Sequence, residues 1–144
     1  MSQEQERIGR LLGRAYFAWQ AKTYQAMTEQ GFGDIRPAHS PVFRFLDAGG
    51  SMVRDLARQS GMTKQSMTYL VKDLEKKGYL SIAPDPQDRR AKRIRLTERG
   101  QAAEQALRTL SLNLEGQIGV LFGETKTRHL KSQLKHIIDS IGNP

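Results

Sequence analysis

The sequence predicts a mainly α domain with one small β-hairpin, an α+β chain in which residues 1–144 form a single domain. Three observations lead there. Apolar residues recur at three- and four-residue steps along most of the length, the period of helices with one buried face. Strict alternation replaces that period only between residues 79 and 96. And 144 residues make one ordinary domain, able to bury about 68–70% of its unfolded surface without staples.

The first helix is expected over residues 5–30, where Ile8, Leu11, Leu12, Ala15, Tyr16 and Trp19 form one apolar stripe. Gly31, Gly33 and Pro37 break it. A short second helix follows, with Val42, Phe43, Phe45 and Leu46 as its apolar face, ended by Gly49 and Gly50. Ser51 reads as the N-cap of a third helix that turns Val53, Leu56 and Ala57 inward. Gly61 stops that helix. Thr63 caps a fourth, which runs to Lys77 and ends at Gly78.

Tyr79 to Ala83 then alternates as a short strand. Pro84-Asp85-Pro86-Gln87-Asp88 is turn chemistry, and Arg93-Ile94-Arg95-Leu96 alternates again. Strand, turn and strand make an antiparallel hairpin over residues 79–96 with a basic tip. Thr97-Glu98-Arg99-Gly100 opens a long helix whose stripe is Leu107, Leu110, Leu114, Ile118 and Leu121. A last helix carries Leu130, Leu134, Ile137, Ile138 and Ile141. Internal repeats and low-complexity tracts are absent.

Composition narrows the function classes. There is no cysteine, which excludes disulfides, thiolate metal ligands and a cysteine nucleophile. Apolar runs such as Val120-Leu121-Phe122 are far shorter than a membrane span, and the mixed-charge start at residues 1–10 is no signal peptide, so a cytoplasmic protein is expected. The chain carries 23 basic and 15 acidic residues, a net charge of +8. Residues 53–99 hold twelve basic and six acidic side chains, net +6, while each flanking third is net +1. So concentrated an excess points to an anionic partner, and nucleic acid is the commonest.

The segment from Val53 to Lys72 fits a helix-turn-helix. Ala57 is small where two helices cross, and Gly61 sits where the turn favours a positive φ. Leu56, Met62, Met67 and Leu70 fall on the facing sides; Ser60 departs from the apolar residue usual at its place. With Met67, Leu70, Val71 and Leu74 inward, the outer face of the fourth helix carries Lys64, Gln65, Thr68, Tyr69 and Lys72, with Thr63 and Ser66 at its start. These side chains can reach base edges and phosphates in a major groove. A plain solvated helix would mix Glu among them, yet no carboxylate appears before Asp73. The rival reading is a winged helix that binds protein without sequence-specific DNA recognition. It predicts a neutral or apolar outer face, which this helix lacks.

Asp88-Arg89-Arg90-Ala91-Lys92-Arg93 is the densest basic run. On a hairpin tip its arginines can enter a minor groove, where negative potential is focused. Asp88, the one acid in the run, can pair with a nearby arginine and aim it.

Asp85 to Lys92, followed by Ile94-Arg95-Leu96-Thr97-Glu98-Arg99-Gly100, resembles the wing signature of the MarR (multiple antibiotic resistance regulator) family. Leu56-Ala57, Gly61 to Ser66, and Leu74-Glu75-Lys76-Lys77-Gly78-Tyr79-Leu80 resemble that family's DNA-reading helices. The resemblance covers the whole chain in element order and is sharpest over residues 56–100. It implies a winged helix-turn-helix repressor, dimeric through its terminal helices and released from a palindromic operator by a small ligand. Carried over, Gln65, Ser66 and Tyr69 read bases, Arg90 enters the minor groove and Asp88 positions it. Tyr69 stands where the family often has arginine.

The expected organisation is therefore a winged helix-turn-helix lobe over residues 38–99, with the helix pair at 53–77, and a dimerisation region at 5–30 and 100–141. Ile8, Leu11, Leu12, Leu107, Leu110, Leu114, Leu130, Leu134 and Ile137 extend the apolar faces beyond what a monomer of this size needs, and a second copy would cover them, giving a homodimer. The family resemblance also implies a pocket between the dimer helices and the DNA-reading lobe; Tyr16, Trp19, His39, Phe43 and Arg44 would line it for an aromatic or phenolic anion, though plain core aromatics are the simpler account. Catalysis is not expected: no nucleophile has a base neighbour, no phosphate loop is present, and His129 and His136 lie two helical turns apart, roughly 10 Å. No metal, cofactor or membrane partner is expected.

Overall fold

A computed structural model describes residues 2–142 as six helices and one hairpin. In chain order these are α1 (Ile8–Glu29), α2 (Ser40–Phe45), α3 (Val53–Ser60), α4 (Lys64–Lys76), β1 (Leu80–Pro84), β2 (Lys92–Leu96), α5 (Glu98–Phe122) and α6 (Glu124–Ile141). The hairpin is antiparallel, with Leu80 opposite Leu96 and Pro84 opposite Lys92. Among the described residues no helix is long and apolar enough to cross a membrane.

The core lies under the helix-turn-helix. Leu56 and Ala57 of α3 meet Met67, Leu70, Val71 and Leu74 of α4. Val42 and Phe43 close it from α2, Tyr79, Leu80 and Ile94 from the hairpin, and Met27 and Ala103 from the long helices. Leu56, Met67 and Leu74 are fully buried, so truncating any of them to Ala should cost about 2–5 kcal/mol. The turn is built as its residues demand. Gly61 caps α3 at φ +67°, and Thr63 Oγ1 accepts the Ser66 amide hydrogen at 3.1 Å to start α4. Ser60, polar where an apolar residue is usual, spends its hydroxyl on the Leu56 carbonyl at 2.6 Å.

Several boundaries differ from expectation. The first helix starts at Ile8, and a separate 3-10 turn occupies Gln3–Glu6. The second helix ends at Phe45, four residues before Gly49. Ser51 does not cap α3; Met52 holds that place without a side-chain bond. Instead Ser51 is drawn into the sheet: its amide donates to the Ile94 carbonyl at 2.9 Å and its carbonyl accepts from the Ile94 amide at 2.8 Å. Its hydroxyl accepts the Asp47 amide hydrogen at 3.0 Å. Two ladder bonds outweigh one cap bond, so the tertiary pairing wins.

The long helices are unevenly covered. α1 buries only Thr23 and Met27, α5 only Gly100 and Ala103, and α6 buries nothing. Leu107 and Leu110 are half-buried and pack against the chain's own core, so part of that stripe is already covered within one chain. The exposed apolar surface is carried by Ile8, Leu11 and Leu12 on α1, Leu121 and Phe122 on α5, and Leu130, Leu134 and Ile138 on α6.

Candidate nucleic-acid interface

The outer face of α4 and the tip of the hairpin lie on one side of the molecule. Between them runs a cleft of about 610 Å3, with Val53, Val71 and Ile82 among its lining. Arg54, Lys64, Lys72, Arg90 and Lys92 line it too. Arg54, on the first turn of α3, was missing from the sequence-derived set. Its place beside the inward Val53 is the signal that could have found it. Five cations against the two carboxylates of Glu75 and Asp88 leave the cleft net positive, which suits a phosphate backbone.

On α4 the side chains divide by what they already hold. Thr63 Oγ1 donates to Ser66 Oγ at 2.9 Å, and Thr68 Oγ1 donates to the Lys64 carbonyl at 2.7 Å, so the hydroxyls of Thr63 and Thr68 serve their own helix. Lys64, Gln65, Tyr69 and Lys72 are exposed, and among the described residues their side chains make no hydrogen bond. Tyr69 is 72% exposed, an aromatic ring held out in water one helical turn from Gln65 and Lys72.

The hairpin tip is organised by two aspartates. Asp85 Oδ1 accepts the amide hydrogens of Gln87 at 2.8 Å and Asp88 at 3.3 Å, and its Oδ2 receives Arg93 Nε at 2.9 Å. The Gln87 amide and the Arg93 guanidinium hold this carboxyl below the usual carboxylate range. Asp88 Oδ1 accepts the Arg90 amide hydrogen at 3.1 Å. Two expectations change. The acid that pairs an arginine side chain here is Asp85, while Asp88 holds the backbone of Arg90. And Arg93 is not an open DNA contact, because its guanidinium also donates to the Gly50 carbonyl at 3.0 Å. Arg89, Arg90 and Lys92 remain exposed.

Gly50 is where the hairpin meets the helices. Its φ is +95°, and a Cβ there would lie 2.7 Å from Arg93 Cγ and 2.9 Å from the Ile94 carbonyl oxygen. Only glycine combines that backbone with that proximity.

A second cavity, about 360 Å3, opens between α1, α2 and α5. It brings together four of the five residues expected there: Tyr16, Trp19, Phe43 and Arg44, with Arg108 on the facing helix. Arg44 and Gln20 both donate to the Tyr16 hydroxyl oxygen, at 2.7 and 2.8 Å. Burial pushes the Tyr24 phenol up. His39 does not line this cavity. It is buried on the other side of α2, where Nδ1 accepts the Arg36 amide hydrogen at 2.9 Å and Nε2 meets Asp73 Oδ2 at 2.7 Å. Asp73 also takes Lys77 Nζ at 2.9 Å. Lys77 reaches the Asp34 carbonyl at 3.0 Å, and the buried Tyr79 hydroxyl donates to Asp34 Oδ1 at 2.5 Å. Arg99 of α5 stacks over the Tyr79 ring at 4.6 Å. One polar chain thus ties α2, the end of α4 and the start of α5.

Comparison with known proteins agrees with this geometry. The sequence model of the MarR family matches residues 34–91, from the connector before α2 into the hairpin tip. The transcriptional activatory protein BadR of Rhodopseudomonas palustris is 25% identical over 96 residues, 67% of this chain and 54% of its own length. The match therefore spans about half of that relative. The transcriptional repressor CouR, solved on a 23-mer DNA duplex, has a TM-score of 0.77 at 24% identity, covering 95% of this chain and 96% of its own. CouR from Rhodococcus jostii RHA1, solved with p-coumaroyl-CoA, gives 0.72 at 24% identity, with 92% of each chain covered. At these identities the structural likeness speaks for the fold.

Proposed function

Because the chain belongs to the MarR family of winged helix-turn-helix transcriptional regulators, we propose that it is a repressor that binds a palindromic operator as a homodimer and leaves it when a small aromatic acid binds. The observation that carries the reading is the shared cationic side of α4 and the hairpin tip. Gln65 and Tyr69 face the major groove, Arg90 enters the flanking minor groove, and Arg54, Lys64, Lys72 and Lys92 meet phosphates. Repression needs only occlusion of a promoter by the bound dimer. The named relatives act with both signs, BadR as an activatory protein and CouR as a repressor.

The dimer is supported by α6, whose apolar residues Leu130, Leu134, Ile138 and Ile141 all stay exposed in one chain. So large an exposed apolar surface calls for a partner, and a two-fold copy also sets two reading helices one DNA turn apart. Release is supported by the α1–α2–α5 cavity, where Arg44, held on the Tyr16 hydroxyl, and Arg108, paired with Glu104 of the same lining, stand beside Trp19 and Phe43. That is a fitting site for a phenolic or benzoic anion, and CouR holds a phenolic acyl thioester.

The test is binding to DNA upstream of the protein's own gene, with and without a panel of aromatic acids, beside transcription in vitro from that promoter. Binding that ignores DNA sequence would refute the operator reading. Release by none of the acids would refute the effector, and increased transcription would reverse the sign.

A further inference from the structure

Asp85 is the one buried carboxylate among the described residues, and both of its oxygens are in use. One oxygen closes the first turn of the hairpin tip by accepting the Gln87 and Asp88 amides. The other receives Arg93 at 2.7 and 2.9 Å, and the same guanidinium grips the carbonyl of Gly50. Gly50 precedes Ser51, whose backbone is paired with Ile94 and leads into α3. At its far end the turn delivers Asp88, which holds the amide of Arg90. The path from helix-turn-helix to hairpin tip is therefore a short series of directed bonds with Asp85 at its centre.

We infer that Asp85 is the positioning residue for Arg90. Through Arg93 and Gly50 it refers the tip to the frame of α3 and α4, so that Arg90 and the reading helix reach DNA in fixed register. This rests on Arg90 being a groove contact. Charge alone argues for the opposite effect on binding. Asp85→Asn removes a negative charge from a surface facing a polyanion, so Coulomb attraction would strengthen binding. Positioning requires binding to the specific site to weaken, because an amide cannot serve both the turn and the guanidinium as a carboxylate does.

The experiment measures Kd for a duplex enriched from random DNA by the wild-type protein, and for a scrambled duplex, using full-length Asp85→Asn, Arg90→Ala, the double variant and Arg93→Lys. Arg90→Ala and Asp85→Asn should each weaken the enriched duplex about tenfold. The double variant should be no weaker than Arg90→Ala, since one substitution acts through the other. Affinity for the scrambled duplex should hold or rise in Asp85→Asn. Arg93→Lys keeps the charge but cannot span both acceptors, so it should reproduce the specific loss with an unchanged salt slope. Retained binding to the scrambled duplex shows that each variant is folded. Additive losses, equal losses on both duplexes, or wild-type affinity in Asp85→Asn would overturn the inference. No loss in Arg90→Ala would remove the groove contact itself, and the role of Asp85 with it.

Discussion

His39 Nε2 lies 2.7 Å from Asp73 Oδ2 and joins residues 34 apart in sequence. Because Nδ1 accepts the Arg36 amide hydrogen, the ring proton sits on Nε2 and donates to the carboxylate. The bond fastens the start of α2 to α4. His39→Ala removes a buried ring and one of the bonds to Asp73, and should destabilise the fold by about 1–3 kcal/mol. Urea unfolding measures this, and an unchanged midpoint would mean the contact is incidental.

Acid should loosen the same junction. Lys77 and His39 hold the Asp73 carboxyl below its ordinary range, and the Gln87 amide and Arg93 do so for Asp85. A carboxyl with a depressed folded value stabilises the fold fully above its unfolded value, near 4, and loses that contribution as pH falls through the lower folded one. These two groups therefore leave stability flat from about pH 5 to 8 and lower it below about pH 4. Denaturation midpoints for wild type and Asp73→Asn should converge as pH falls toward 3. A constant gap across that range would contradict the assignment.

Gln65 and Tyr69 are expected to read bases. Substituting either by Ala should lower affinity for the selected duplex by about 1–3 kcal/mol and leave mismatched DNA nearly unaffected. Equal losses on both would assign these side chains to phosphate.

Assembly should govern binding. Glutamates at Leu130 and Leu134 place charge on the exposed α6 stripe without touching the core under α4. The variant should be monomeric by light scattering at micromolar concentration and should lose specific binding, while its core stays folded. Wild type is expected to scatter as a dimer and to neutralise about six to ten phosphates, a log–log salt slope near −0.9 per contact. A wild-type monomer that binds tightly with a slope near −3 would refute the dimer.

Signals carried by neighbouring residues were legible in the sequence, and long-range ones were not. Gly61, Thr63 and the spacing of Leu56, Met67, Leu70 and Leu74 located the helix-turn-helix because turn, cap and facing positions are local. Ser51 misled for the same reason. It carries a good cap side chain, yet its partner Ile94 lies 43 residues away. His39 sits among aromatics in the chain but faces Asp73 in space. Arg93 looked like one more cation in a basic run, and composition cannot say which of two nearby aspartates will take it. Periodicity marked Leu107 and Leu110 as apolar without telling the chain's own core from a partner's.

The demand for glycine at position 50 bears on how such proteins can exchange parts. A hairpin copied from a relative would bring new side chains at 93 and 95 against a backbone that has no room to yield, since even a Cβ at 50 would fall within 3 Å of the Cγ atoms of Arg93 and Arg95. The transplantable unit is therefore discontinuous: residues 80–96 together with the loop at 47–51 that receives them. Recombination that cuts between α3 and the hairpin separates the two halves of one joint. Changes at 86–90, above the joint, leave it intact, whereas changes below it disturb the tip and α4 together.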